Sequence, residues 1–153
     1  MGFTVNRHCT WLMTPVKNSI CGVKTMKHLL VIACGGSLGA VARYIASKNI
    51  QSITNQFFPF GTLFVNCSGS FCIGFLFYAF DSLLVSRDIR SFLTIGFLGA
   101  FTTFSTYSLE TVNLFRDREI KLALVNILLN NIISISMVIA GMIASKIFLK
   151  ILQ

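Results

Sequence analysis

Four long apolar blocks, separated by short polar connectors, dominate the pattern of this sequence. They cover approximately residues 29–47, 60–85, 91–115 and 120–149. Each block can supply the ~20 residues that a helix needs to cross the hydrocarbon core of a bilayer. The backbone must satisfy its own hydrogen bonds in lipid, so the blocks are predicted to be helices rather than strands. The pattern therefore predicts an all-α membrane protein with four transmembrane helices.

The first part of the chain, residues 1–25, does not share this pattern. It mixes charged and polar residues with short apolar pieces, and none of those pieces is long enough to be the core of a signal peptide. From Met26 onward, a short basic stretch leads directly into the first apolar block. We expect residues 1–25 to be an atypical extension, Met26 to be the natural start, and residues 26–153 to form the four-helix transmembrane domain.

Small and polar residues are frequent inside the apolar blocks. Glycine, alanine and serine are concentrated in residues 35–42 of the first block and residues 66–74 of the second. Small residues let helix backbones approach each other closely in lipid. The third and fourth blocks add threonines, serines and asparagines, which are costly against lipid and should face a helix interface or a pore.

Composition agrees with a lipid environment, because 54% of the residues are hydrophobic and only 12% are charged. A typical soluble domain has about 25% charged residues. The net charge is +8, but the basic residues lie mostly between the apolar blocks, where they flank membrane spans and meet anionic lipid. No basic face interleaved with aromatic residues is present, so nucleic-acid binding is disfavoured.

The basic residues give the chain no preferred orientation. Four spans place both termini and the second connector on one side, with Lys27, Arg87, Arg90, Lys146 and Lys150 from Met26 onward. The other side carries the same number, namely Arg43, Lys48, Arg116, Arg118 and Lys121. Equal numbers of basic residues on the two sides give no orientation bias under the positive-inside rule, so the chain could insert in either orientation. We expect a dual-topology dimer of antiparallel subunits, with its two-fold axis in the membrane plane.

The third block contains a segment that is easily interrupted. Gly99 lies in mid-span and is followed by the paired threonines Thr102 and Thr103. Carbonyl groups that an interruption releases must find other partners. A buried cation is one such partner, since carbonyl oxygens are hard ligands. Hydroxyl groups that bond back to the helix's own carbonyls are the other, and the pattern leaves both interpretations open.

Aromatic and charged residues in the spans also have two interpretations each. Phe104 and Tyr107 share a helix face, where their positive ring edges could hold a small anion or simply pack in the core. Arg43 could attract anions at the mouth of a pore, or reach lipid phosphates. Glu110 is an acid inside a predicted span that could cap a helix or form a pair near an interface.

Two ladders of polar side chains follow helical spacing. Asn126, Asn130 and Ser134 lie four residues apart in the fourth block, and Thr62 and Asn66 lie four apart in the second. Each ladder lines one face of a helix with hydrogen-bond donors. Such donors suit an anion that must shed its water, and they equally suit hydrogen bonds that hold the helices together.

Other chemistries have little support. No His–carboxylate pair, nucleophile motif or metal-ligand spacing falls within the spans, so an enzyme is not expected. A small proton-coupled drug exporter would need a carboxylate in the membrane, for which Glu110 is the serious candidate. A purely structural membrane subunit would not need polar ladders in its spans.

Three linked motifs resemble the Fluc (CrcB) family of fluoride channels. They are Gly-Gly-Ser-Leu-Gly-Ala-Val-Ala-Arg-Tyr at residues 35–44, Pro-Phe-Gly-Thr-Leu-Phe-Val-Asn-Cys-Ser-Gly-Ser at residues 59–70, and the segment 96–108. The resemblance implies a dual-topology dimer with two pores in a cell inner membrane, which lowers cytoplasmic fluoride by passive export of the anion. It also implies a structural, non-transported sodium ion at the dimer centre, held by backbone carbonyls of a third helix that is broken in mid-span.

The resemblance also assigns roles residue by residue. Gly99 and Thr102 match the positions associated with sodium. The positions associated with the fluoride pore are matched by Asn66, Phe104, Thr62, Asn130, Ser134 and Arg43. Tyr107 departs from the family, which often has a second phenylalanine there, so a hydroxyl enters the aromatic pair. The extension before Met26 has no counterpart in the family pattern.

Overall fold

The structure of the protein, a computed structural model, describes residues 21–54 and 57–152. Its helices are α1 (Cys21–Thr54), α2 (Phe60–Ser82), α3 (Arg87–Ser91), a π-helical segment (Phe92–Leu98), α4 (Gly99–Phe101), α5 (Phe104–Arg116) and α6 (Ile120–Leu152). The described residues contain no strand. Residues 1–20 of the expected extension lie outside the described residues, and Met26 lies within α1, so the start at Met26 stays a prediction.

Four helical spans are long and apolar enough to cross a membrane, as the sequence predicted. The first and last are longer than the apolar blocks, because α1 continues to Thr54 and α6 to Leu152. The predicted first connector, residues 48–59, is therefore mostly helix. Its last part is held by Gln51, whose Nε2 donates to the Phe58 carbonyl (3.1 Å) and whose Oε1 accepts from the Gly61 amide (3.2 Å).

The third span is interrupted in mid-membrane, as predicted. It consists of α3, the π-helical segment, α4 and α5, with Thr102 and Thr103 in extended conformation between α4 and α5. Thr103 caps α5, because its Oγ1 accepts a hydrogen bond from the Thr106 amide (3.2 Å). The interruption therefore has a defined geometry, with a helix end and a helix start facing each other across two residues.

Glycines set the distances between the packed spans. The helix α1 packs on the first half of the third span, and α2 packs on α6. A Cβ on Gly39 would clash with the Phe97 carbonyl, and one on Gly74 would clash with the Val138 carbonyl. Backbones that touch this closely gain dispersion energy, which replaces the hydrophobic effect as the force that associates helices in lipid.

We expect Gly39→Ala to destabilise the protein, whereas Gly36→Ala on the same helix should not. The new methyl group at residue 39 meets backbone atoms of Phe97 that cannot rotate away, and overpacking of this kind costs about 1–2 kcal/mol. At residue 36 the nearest atom, the Gly96 carbonyl oxygen, would be 4.0 Å from the Cβ. Thermal unfolding of the two variants in detergent tests this, and equal midpoints would contradict the close contact.

Candidate functional site

An open groove lies beside the interruption of the third span, with a volume of about 360 Å³. Residues of α2, both halves of the third span and α6 line it, and all of them are uncharged: Asn66, Gly69, Ser70, Ile73, Thr94, Leu98, Gly99, Thr102, Thr103, Phe104, Tyr107, Asn130, Asn131, Ser134 and Ile135. We refer to this cavity as the groove. It is a neutral, partly polar surface at the level of the membrane interior.

Most of the residues proposed from the sequence meet in the groove, namely Asn66, Gly99, Thr102, Phe104, Tyr107, Asn130 and Ser134. Thr62 and Arg43 do not line it. Sequence reasoning did not select Ser70 and Asn131 as site residues. Ser70 carried a usable signal, because it is four residues after Asn66 and so shares its helix face.

Asn66 holds the interruption in place. Its Oδ1 accepts from the Thr103 amide (2.8 Å) and its Nδ2 donates to the Thr103 carbonyl (3.2 Å), so one side chain satisfies both backbone groups of an extended residue. The same Nδ2 donates to Oδ1 of Asn130 at 3.0 Å. An amide nitrogen has two hydrogens, so both donors of Asn66 are in use.

The hydrogen bonds continue from Asn130 to the start of α5. Nδ2 of Asn130 donates to Oδ1 of Asn126 (2.8 Å), and Nδ2 of Asn126 donates to Oγ1 of Thr111 (2.9 Å). Thr111 in turn donates to the Tyr107 carbonyl at 2.8 Å. Asn126 is fully buried. For these asparagines the geometry therefore favours the second sequence interpretation, in which the ladder joins helices and its amide donors are not free for an anion.

Hydroxyl groups and aromatic rings remain as groups that can face an anion. Ser70 and Ser134 line the groove, with the Ser134 hydroxyl 4.0 Å from the Cys67 sulfur. The Phe104 and Tyr107 rings are in tilted contact, with centroids 5.4 Å apart. Phe104 is 76% exposed and Tyr107 only 7%. The Phe104 ring therefore projects from the groove while the Tyr107 ring is fixed within it.

Backbone carbonyls at the interruption lack donors. Within the described part of the chain, no hydrogen bond reaches the carbonyl oxygens of Gly99, Ala100, Phe101 or Thr102. The Leu98 carbonyl, by contrast, accepts from both the amide and the hydroxyl of Thr102, each at 3.0 Å. The same described residues contain no cluster of His, Cys, Asp or Glu that could hold a metal ion. The free carbonyls are hard oxygen ligands, so they offer a cation a binding site at this point.

Thr62 and Glu110 form a separate polar pair beside the groove. The Thr62 hydroxyl donates to Oε1 of Glu110 at 2.7 Å, and Oε2 of Glu110 is buried without a partner in the described structure. Arg43 is half-buried on α1 and does not line the groove. The predicted polar track through Thr62 therefore continues toward Glu110 rather than into the groove of the same chain.

Comparisons with known proteins identify similar sequences. The sequence profile of the family described as CrcB-like protein, Camphor Resistance (CrcB), matches residues 30–142. The chain is 44% identical to the fluoride-specific ion channel FluC of Desulforapulum autotrophicum, over 79% of this chain and 98% of that protein. It is 42% identical to FluC of Magnetococcus marinus (75% and 94% covered) and 43% identical to FluC of Dehalococcoides mccartyi (76% and 90% covered).

Proposed function

Since this chain belongs to the CrcB family, whose similar members are named as ion channels and not as enzymes, we propose that it is a fluoride-specific channel. It lowers cytoplasmic fluoride by passive export of the anion. The observation that carries the proposal is the groove, which places hydroxyl groups and ring edges together at membrane depth without a charged residue. An anion can occupy such a site without being held too tightly by a positively charged side chain.

The mechanism follows from the chemistry of the ion. Hydrogen fluoride is neutral and crosses the bilayer from acidic surroundings, then dissociates in the cytoplasm and is trapped as the anion. A pore lets fluoride leave down its electrochemical gradient. Fluoride is strongly hydrated, so the pore must replace its water with donors, which Ser70, Ser134 and the positive ring edges of Phe104 and Tyr107 can supply. A narrow pore rejects the larger chloride ion.

The complete pore is formed by two antiparallel copies in a cell inner membrane. Within one chain the groove is open, and Phe104 projects from it with most of its ring uncovered. Gly99 is exposed too, and a Cβ there would meet only ordinary contact, 3.6 Å from the Thr94 carbonyl oxygen. Contacts within the chain therefore leave room for a side chain at residue 99. A second copy against this face would cover these exposed groups, and the balanced basic residues permit the opposed insertion that an antiparallel pair needs.

We propose that a sodium ion binds at the interruption. The carbonyls of Gly99 and Thr102 would hold it, together with those of the second copy, because they are hard oxygen ligands without donors. When bound, the ion would supply positive charge that neutralises converging carbonyl dipoles. Its role is structural and it is not transported.

Removal of sodium tests this role. We expect protein purified and reconstituted with N-methylglucamine in place of sodium to lose fluoride flux, because carbonyl dipoles of two copies would then face each other without a cation. Addition of sodium should restore flux, and potassium, which is larger, should restore it less. Full flux throughout in sodium-free buffer, verified by elemental analysis, would contradict the role.

A liposome assay tests the function itself. Purified protein is reconstituted in vesicles loaded with potassium fluoride, and efflux is followed with a fluoride electrode after addition of valinomycin. We expect rapid fluoride efflux, and no chloride efflux from matched vesicles loaded with potassium chloride. Fluoride efflux no faster than from protein-free liposomes loaded in the same way would contradict the proposal.

Subunit orientation needs its own measurement. A single cysteine added after the C-terminus, in a variant whose native cysteines are replaced by serine or alanine, is labelled in intact cells with a membrane-impermeant maleimide. Antiparallel insertion predicts that about half of the copies are labelled from outside and the rest only after lysis. Labelling of all copies from outside, or of none, would exclude the antiparallel dimer. It would not decide whether the protein conducts fluoride, which the efflux assay tests separately.

A further inference from the structure

The hydroxyl group of Tyr107 has a partner that fixes its role. Nδ2 of Asn131 donates to the Tyr107 hydroxyl oxygen at 3.1 Å and to the Ile127 carbonyl oxygen at 2.8 Å. The second bond decides which way the amide of Asn131 points, because a carbonyl can only accept and Oδ1 in that place would be repelled. The Tyr107 oxygen therefore accepts a hydrogen bond from Asn131.

The hydrogen of this hydroxyl is consequently free. No acceptor for it is present among the described residues, and both Tyr107 and Asn131 line the groove. The ring is 7% exposed and packs against Phe104, so the oxygen cannot move far. A hydroxyl that accepts one hydrogen bond is polarised and donates more strongly. The groove thus contains a fixed O–H donor whose orientation Asn131 sets.

We propose that Tyr107 binds the anion through its O–H group, and that it is a specificity-determining residue of this channel. The inference rests on the proposed function. It gives the second aromatic position a different task from that of a phenylalanine, which offers only a ring edge. It also explains how the groove dehydrates fluoride although the amide donors of Asn66 are already used. A hydrogen bond to fluoride is stronger than one to the larger chloride, so this donor offsets more of the cost of dehydration for fluoride than a ring edge alone would.

The test is Tyr107→Phe, which keeps the ring and removes the hydroxyl. Because the variant loses a hydrogen bond to a charged acceptor, we expect its half-saturating fluoride concentration for efflux to rise by about 10-fold or more. Tyr78→Phe, the same chemical change on α2 outside the groove, serves as the matched control and should behave like the wild type. If wild type and control conduct and Tyr107→Phe has the same half-saturation, the inference is overturned and the proposed function stands. If the wild type does not conduct, both are overturned.

A second measurement separates donation from packing. Replacing Tyr107 by ortho-fluorotyrosine through an expanded genetic code changes the size of the ring little and makes the hydroxyl a stronger donor. We expect a lower half-saturating fluoride concentration than in the wild type, measured at a pH where the phenol stays protonated. An unchanged or higher value would overturn the inference, even if Tyr107→Phe failed to fold.

Discussion

Asn66→Asp is expected to reduce fluoride flux by about 100-fold or more. The amide nitrogen that the change removes lies 3.2 Å from the Thr103 carbonyl and 3.0 Å from Oδ1 of Asn130. A carboxylate oxygen in that place would face two acceptors with no hydrogen to offer. It would also add a negative charge to the groove through which we propose that the anion passes. Efflux from liposomes, with folded protein confirmed by size-exclusion chromatography, is the measurement.

Asn49→Asp is the matched control, because it makes the same change of charge at an exposed position on α1. It should leave flux close to that of the wild type. Flux of Asn66→Asp equal to that of this control would mean that Asn66 neither holds the interruption nor borders the path of the ion. The contacts of Asn66 with Thr103 would then have no part in conduction.

Asn126→Leu is expected to lower the free energy of unfolding by about 2–4 kcal/mol. Asn126 is fully buried and makes hydrogen bonds to Thr111 at 2.9 Å and to Asn130 at 2.8 Å. Hydrogen bonds between membrane helices average only about 0.6 kcal/mol, because an exposed polar group can find another partner. Here the two remaining side chains are enclosed. Thr111 keeps its bond to the Tyr107 carbonyl. Asn130 keeps its bonds to Asn66 and to the backbone carbonyl of residue 126. The Thr111 oxygen would lose its donor and Asn130 Nδ2 would lose one acceptor in a buried site, and this cost adds to the lost bonds. Equilibrium unfolding in mixed micelles measures the difference.

Asn113→Leu provides the comparison for this effect. Asn113 is half-buried on α5, the same helix that Thr111 belongs to, and its side chain makes no hydrogen bond within the described residues. Its replacement should change stability much less than the replacement of Asn126. Similar losses for both would show that the asparagine ladder does not stabilise the bundle beyond ordinary packing.

These contacts divide the polar residues of the spans into two groups. Asn66 bonds to the Thr103 backbone at the interruption and to Asn130, which in turn bonds to Asn126, so this chain of bonds supports the shape of the third span. The hydroxyl groups and rings that line the groove have capacity left for an ion. The division matters for mutagenesis, since loss of flux in Asn66→Asp combines an altered geometry with an added charge, whereas loss in Tyr107→Phe reports on the anion.

Several features followed directly from the sequence. Four apolar blocks of sufficient length predicted four membrane helices, because a spanning backbone in lipid must bond to itself. Glycine and paired threonines in the middle of the third block predicted its interruption, which lies at Thr102 and Thr103. Spacing alone placed Asn126, Asn130 and Ser134 on one face of α6. These are local properties, and the residues that specify them are neighbours along the chain.

Only the tertiary structure decided what the polar groups do. A ladder of hydrogen-bond donors has the same sequence pattern whether the donors bind an ion or bond to another helix. The bond between Asn66 and Thr103, for example, joins residues that are 37 positions apart in the sequence. The sequence likewise could not show that Asn131 orients Tyr107 or that Thr62 pairs with Glu110. The helical period fixes the face of the helix on which a side chain lies. The partner of that side chain depends on which helix packs against the face and on how the two helices are aligned along their axes. The glycine contacts between the spans determine that packing and alignment.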